Sequence, residues 1–150
     1  MSAKTIVAKL QGINALVTGV RSAPTEMPGQ LRTEMLPCVL VYPLAAMHTV
    51  PFYAGRRTER EYLVRVYVAP IGQGEGVDGG FQECLPFLDR FADEYHEAAN
   101  IAVSTEEWQE LTLVEDTGVR ADMTLHGSGQ GQLYWGVEFT VGIKEKKSVS

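Results

Sequence analysis

Apolar residues along the chain change period several times, and each change marks an element. Between Thr5 and Val17, Ile6, Leu10, Ile13 and Val17 recur at the offsets of one helical face, and Thr5 is positioned to cap that helix. Arg21 to Gln30 holds Pro24, Pro28 and Gly29, which end the helical pattern and make a connector. Met35 to Tyr42 is a continuous apolar run that predicts a buried strand, with Pro37 restricted to its beginning or to an edge. Thr58 to Val68 alternates strictly: Tyr62, Val64, Val66 and Val68 share one face, while Glu61, Leu63, Arg65 and Tyr67 share the other. These two strands are expected to form a hairpin. The 15 residues from Pro43 to Arg57 between them far exceed the ~2–5 of an ordinary hairpin loop, which suggests a functional or mobile connection.

A second helix is expected between Gly80 and Asn100, with Leu85, Leu88, Ala92, Tyr95 and Ala99 as its apolar stripe and Asp89, Asp93 and Glu97 beside it. Pro86 favours a start near Cys84, which places the proline in the first turn. Ser104 to Glu107 has the form of a capping box that opens a short turn around Trp108. Period two returns at Leu111, Leu113, Val119, Ala121, Met123 and Leu125, with a break at Asp116–Gly118. After a glycine-rich turn at His126–Gly131 comes the clearest strand of the chain. In Gln132–Ile143, Leu133, Trp135, Val137, Phe139, Val141 and Ile143 alternate with more polar or smaller residues. Residues 145–150 are expected to form a flexible tail, with Lys144–Lys147 solvated. The order is therefore α-β-β-α-β-β. It predicts a single α+β domain over residues 1–150, with an antiparallel or mixed sheet of hairpins packed against two helices.

Composition adds exclusions. The chain is 45% hydrophobic and 21% charged, in the range of a globular protein, and 150 residues suffice for a core without metals or disulfides. The formal charge of −6 disfavours generic nucleic-acid binding. No apolar run approaches the roughly 18 residues of a membrane helix, and the start of the sequence has no secretory pattern, so a cytoplasmic protein is expected. Cys38 and Cys84 fall in separate elements without metal-site or redox spacing, and are expected to be reduced core residues.

Each candidate for chemistry meets a plainer reading. Gly74–Gly79 spells G-x-G-x-x-G before a helix, but Glu75 and Asp78 would set negative charge beside a pyrophosphate. A small-ligand domain using the Gly72–Gly80 loop is the enzyme-like alternative, and a glycine-rich connector is the plainer one. Asp89, Asp93, His96 and Glu97 share a helical face yet match no complete metal motif. Ser128 lacks the nucleophile-elbow pattern, and His48 and His126 fall in predicted loops. No catalytic, metal-ligating or cofactor-binding residue is assigned, and no cofactor is expected. Arg56, Arg57, Arg60 and Arg65 crowd one hairpin arm, and Lys144, Lys146 and Lys147 the tail. Transient contact with DNA phosphates, pairing with acidic residues such as Asp89, Asp93 and Glu97 of a neighbouring subunit, and a solvated rim compete as their use.

Four segments together resemble one family: Leu36–Pro43, the long loop leading into Arg57–Val68, the helix around Pro86–Asp89, and the Gly136–Val141 strand. In layout and length the chain resembles the tail terminator proteins of long-tailed bacteriophages, which close the tail tube and join it to the head-completion proteins. The resemblance implies a non-enzymatic virion protein of the tail or neck, assembled in the host cytoplasm as a homo-oligomeric ring, commonly a hexamer. Its partners would be the tail tube protein and a head-completion or neck protein, with at most transient contact with DNA in the lumen and no membrane. Another neck component, a head-completion or minor tail protein, fits the same layout. In this reading the 43–57 loop touches a neighbouring subunit or layer, through His48, Phe52, Tyr53, Arg56 and Arg57, with Arg60 at its base.

Overall fold

The computed structural model describes residues 3–49, 56–71, 77–105, 110–125 and 132–147. Its elements run in chain order as helix α1 (Ala3–Ala15), strands β1 (Cys38–Thr49) and β2 (Arg56–Pro70), helix α2 (Val77–Thr105), and strands β3 (Glu110–Met123) and β4 (Tyr134–Lys147). The strands form one four-stranded antiparallel sheet in the order β1-β2-β4-β3. The fold class is thus the α+β arrangement that the hydrophobic pattern predicts.

Both helices lie on one face of the sheet, because both carry apolar stripes that only that face can bury. Ile6 and Leu10 of α1, with Val17, meet Val39, Val41, Tyr62, Val64, Val66, Phe139 and Val141. From α2 come Cys84, Phe87, Phe91 and Tyr95, all at most 4% exposed. That stripe is rotated from the expected one: Leu85, Leu88 and Ala92 are only partly buried, since the larger aromatic rings take the sheet-facing positions. Phe91 packs on Phe139 with ring centroids 5.5 Å apart. Both cysteines are buried free thiols.

A buried polar chain ties the helices to β1. The Tyr95 hydroxyl donates to Asn14 Oδ1, Asn14 Nδ2 donates to Gln11 Oε1 at 2.9 Å, and Gln11 Nε2 donates to Val39 O at 2.8 Å and Pro24 O at 2.7 Å. Each of these side chains is nearly inaccessible, so each would be costly if left without its partner.

Several boundaries differ from the sequence reading. Thr5 lies inside α1, which already contains Ala3, so it is no cap. Pro86 is interior to α2, not in its first turn, because the helix begins at Val77, well before Cys84. Ser104 and Thr105 end that helix instead of opening a turn, and Glu106, Glu107 and Trp108 lie outside the described residues. The long loop contracts most: Pro43–Thr49 continues β1, and Arg56 and Arg57 open β2. Pro43 is tolerated because β1 is an edge strand, where a missing N–H breaks no ladder, and the register shifts between Pro43 and Ala46. Lys144–Lys147 is likewise strand, paired with Arg56–Glu59 along β2, and not a tail. The Asp116–Gly118 break is a register shift within β3, where Gly118 adopts φ +85°.

Candidate assembly surface

The face of the sheet opposite the helices is divided in two, and the connector after α1 divides it. Leaving α1, the chain crosses the β1 edge at Ser22, whose carbonyl accepts from Val39 N at 2.9 Å, while Pro37 O accepts from Arg21 N at 2.9 Å. It then lays Leu31, Met35 and Leu36 over Cys38, Leu40, Tyr67, Met123, Leu125 and Tyr134. This second small core is possible because the alternate positions of the strands are also apolar here. Gly136 lets β4 close on β2: a Cβ there would sit 2.1 Å from Val66 O and 2.6 Å from the end of Met123.

Beyond that core a line of charge crosses the sheet. The Glu138 carboxylate on β4, 8% exposed, accepts from Arg65 Nε at 2.7 Å and from Arg120 Nη1 at 3.0 Å. Arg120 also grips Asp122 through Nε and Nη2, at 3.0 and 2.9 Å. The Arg65 guanidinium stands 5.9 Å from the centroid of the Tyr42 ring. Burial works against the charge of Arg65, but its interactions with Glu138 and Tyr67 together outweigh it and its pKa is raised, while the Arg120 hydrogen bond lowers that of Asp122. Arg65 therefore belongs to a satisfied network spanning the sheet, and the basic arm loses it as a candidate contact.

The remaining half of this face has no cover among the described residues. Here a groove of about 580 Å³ is bounded by Ala45, Met47, Glu59, Glu61, Val114 and Lys144, with Gly142 among its lining residues. Gly142 leaves it deep, since a side chain there would meet Val114 Cγ2 at 3.0 Å. Met47 is 68% exposed and Val114 50%. Lys144 pairs in register with Glu59, whereas Glu61 faces Gly142, which has no side chain.

Of the six expected contact residues, four lie near one another at the far end of the β1–β2 hairpin. His48 is exposed, and its Nδ1 lies 3.0 Å from Thr58 Oγ1 across the hairpin. Arg60 Nη1 donates to Leu44 O at 2.6 Å, bracing the irregular stretch of β1. Phe52 and Tyr53 lie outside the described residues. Arg56 and Arg57 are strand residues directly opposite Lys147 and Lys146. The strand register thus brings the two basic runs, which the sequence separates by some 90 positions, to the same corner of the sheet.

Elsewhere, Asp89, Asp93, His96 and Glu97 are exposed on α2, and no group of metal-ligating side chains occurs among the described residues. In the glycine-rich segment, Val77–Gly80 is helical, Gly80 so close to Trp135 that a Cβ would lie 2.2 Å from its ring, and residues 72–76 lie outside the described residues. His126 and Ser128 do as well. No helix among the described residues is long and apolar enough to cross a membrane. No protein-family model matches this chain, and no curated protein matches it.

The groove was not legible in the sequence. Met47 falls in the stretch expected to be a loop, and Val114 is not among the alternating positions of the Leu111–Leu125 pattern; only the sheet order brings them to the two sides of Gly142.

Proposed function

We propose that this protein is a structural assembly subunit of the tail-terminator type, which closes a phage tail tube as a homo-oligomeric ring, most simply a hexamer, and joins it to the neck. The observation that carries this reading is the half of the sheet face that no described residue covers, where Met47 and Val114 stand exposed on either side of a groove while the connector covers the other half. Exposed apolar surface rimmed by polar residues marks a surface for protein contact. The element order and the four sequence segments supply the tail-terminator assignment.

Both sheet edges are blunted, which directs assembly to the face. The outer edge of β1 is occupied at Val39 by Ser22 and interrupted by Pro43, and β3 carries three register shifts along with Glu110, Glu115, Asp116 and Asp122. Such devices oppose strand addition from another chain. The test is native mass spectrometry of the purified chain together with negative-stain imaging. A closed ring, with a mass of roughly six times the 16.5 kDa chain, is expected; a monomer that forms no ring at high concentration and does not bind purified tail tubes overturns the reading.

A further inference from the structure

We propose that the basic corner of the sheet receives the acidic outer face of helix α2 of a second copy of this chain, so that the ring is built by one repeated head-to-tail contact. This rests on the ring reading above and adds the interface. Arg57 pairs in register with Lys146 on one side and with Thr49 on the other, so among the described residues this row holds two cations and no carboxylate. Strand alternation assigns the row to the same sheet face as Glu59 and Lys144, which line the groove one step along. The carboxylates of that face stand further in: Glu59 and Glu110 flank Lys144 in register, and Glu61 is opposite Gly142. On the other face the corner adds Arg56 opposite Lys147, with Glu145 opposite Thr58 as the next pair. Cations therefore outnumber carboxylates at the corner, and the excess is greatest at its outermost rows.

The complement is on the far side of the same chain. Helix α2 buries Cys84, Phe87, Phe91 and Tyr95 against the sheet and leaves Glu83, Asp89, Asp93 and Glu97 exposed, with Glu94 half-buried. None of these carboxylates enters an ion pair among the described residues. The basic residues of the helix are Arg90 and His96. Arg90 is held against its own subunit: it donates to Thr18 O at 3.1 Å, and its guanidinium lies 5.7 Å from the centroid of the Phe87 ring. Asp89, Asp93 and Glu97 follow one another at i and i+4, where like charges oppose each other in an isolated helix, and cations from a neighbour relieve that repulsion. Their steps of about 6 Å along the helix axis are close to the ~5 Å between adjacent strands, so one helix can meet both cations of the Arg57–Lys146 row. Because the row and the helix belong to opposite faces of the sheet, the contact joins unlike surfaces; each subunit stays open to another neighbour, and a ring closes when the rotation between copies permits. A nucleic-acid backbone would also suit such a corner, but the net charge of −6 repels it from the rest of the molecule.

Charge reversal in the full chain separates this contact from folding. Asp93→Lys and Lys146→Glu are each expected to melt at or above the wild-type temperature, yet to need a roughly tenfold or higher concentration to assemble by native mass spectrometry, because each sets like charges together at the contact. A chain carrying both reversals should assemble as the wild type does. Carbodiimide coupling of mixed isotope-labelled and unlabelled chains should join carboxylates of α2 in one chain to Lys146 or Lys147 of the other. If the wild-type ring forms but both single reversals assemble equally well and no mixed cross-link reaches α2, the interface is overturned while the ring reading stands. Salt-sensitive binding of a short DNA duplex that Lys146→Glu abolishes, with assembly unchanged, overturns it in favour of a nucleic-acid partner. A wild-type chain that stays monomeric, or stops at a symmetric dimer, overturns both.

Discussion

Glu138 shows how one side chain joins three strands. Its carboxylate is almost enclosed and is shared by Arg65 and Arg120, so Glu138→Gln leaves two guanidinium groups with a neutral partner on the sheet surface. Because both arginines keep some solvent contact, the expected loss is about 2–3 kcal/mol, below the full cost of stranding a buried charge. Urea denaturation measures it, and an unchanged midpoint would mean that the network is ornamental. The buried thiol of Cys84 makes a second prediction at this scale. Burial, with the Glu83 charge adding to it, pushes its pKa from 9.0 up to about 12, and Tyr67 and Tyr95 are raised by burial in the same direction. In each case the folded state holds its proton more tightly than the unfolded chain. Stability from these groups is therefore fully present below about pH 9 and is lost as pH climbs toward 12. Melting temperatures across pH 7–11 should be level at first and then fall, and thiol reagents should leave Cys84 unlabelled in the native protein at pH 8.

Among the elements, α1 and α2 are fixed against the sheet by both packing and the Tyr95–Asn14–Gln11 chain. Periodicity identified α1 but not the polar link, since Gln11 and Asn14 look like ordinary polar positions between apolar ones. They are buried because β1 and the connector present carbonyl groups that need donors, at Val39 and Pro24. Tyr95→Phe removes the hydroxyl donor while preserving the ring. It should cost about 1–3 kcal/mol, because the Asn14 carbonyl stays buried without that bond. Hydrogen exchange should report the loss as faster opening of α1, with the sheet core protected as before.

For the whole molecule, the basic corner is a product of strand register: Arg57 pairs with Lys146 and Arg56 with Lys147 along β2 and β4. Lys146→Glu replaces a like-charge pair with an opposite one and should stabilise the isolated subunit by about 0.2–1 kcal/mol. If the corner meets an acidic neighbour or DNA in the assembled tail, the same variant should assemble less well, and wild-type assembly should weaken with added salt. A variant that is less stable in denaturant would argue against this strand register.

The alternation in Gln132–Ile143 and Thr58–Val68, and the helical spacing of Ile6, Leu10 and Val17, were enough to determine the elements, their order and the α+β class. Those patterns are local consequences of side-chain direction, and a chain of this composition can bury them in few ways. Where the elements end was less legible: Pro43 and Pro86 read as breaks but lie within β1 and α2, because a sheet edge and a well-packed helix absorb a missing N–H. The ends of strand β4 show the same division. Leu133 alternates in phase with the core yet is exposed, and Lys144–Lys147 reads as a tail yet pairs with β2. Which half of the sheet face is left without cover among the described residues was decided only in three dimensions. It depends on where the connector crosses the β1 edge and on β4 lying between β2 and β3, which sets Gly142 between Met47 and Val114, residues far apart in the chain.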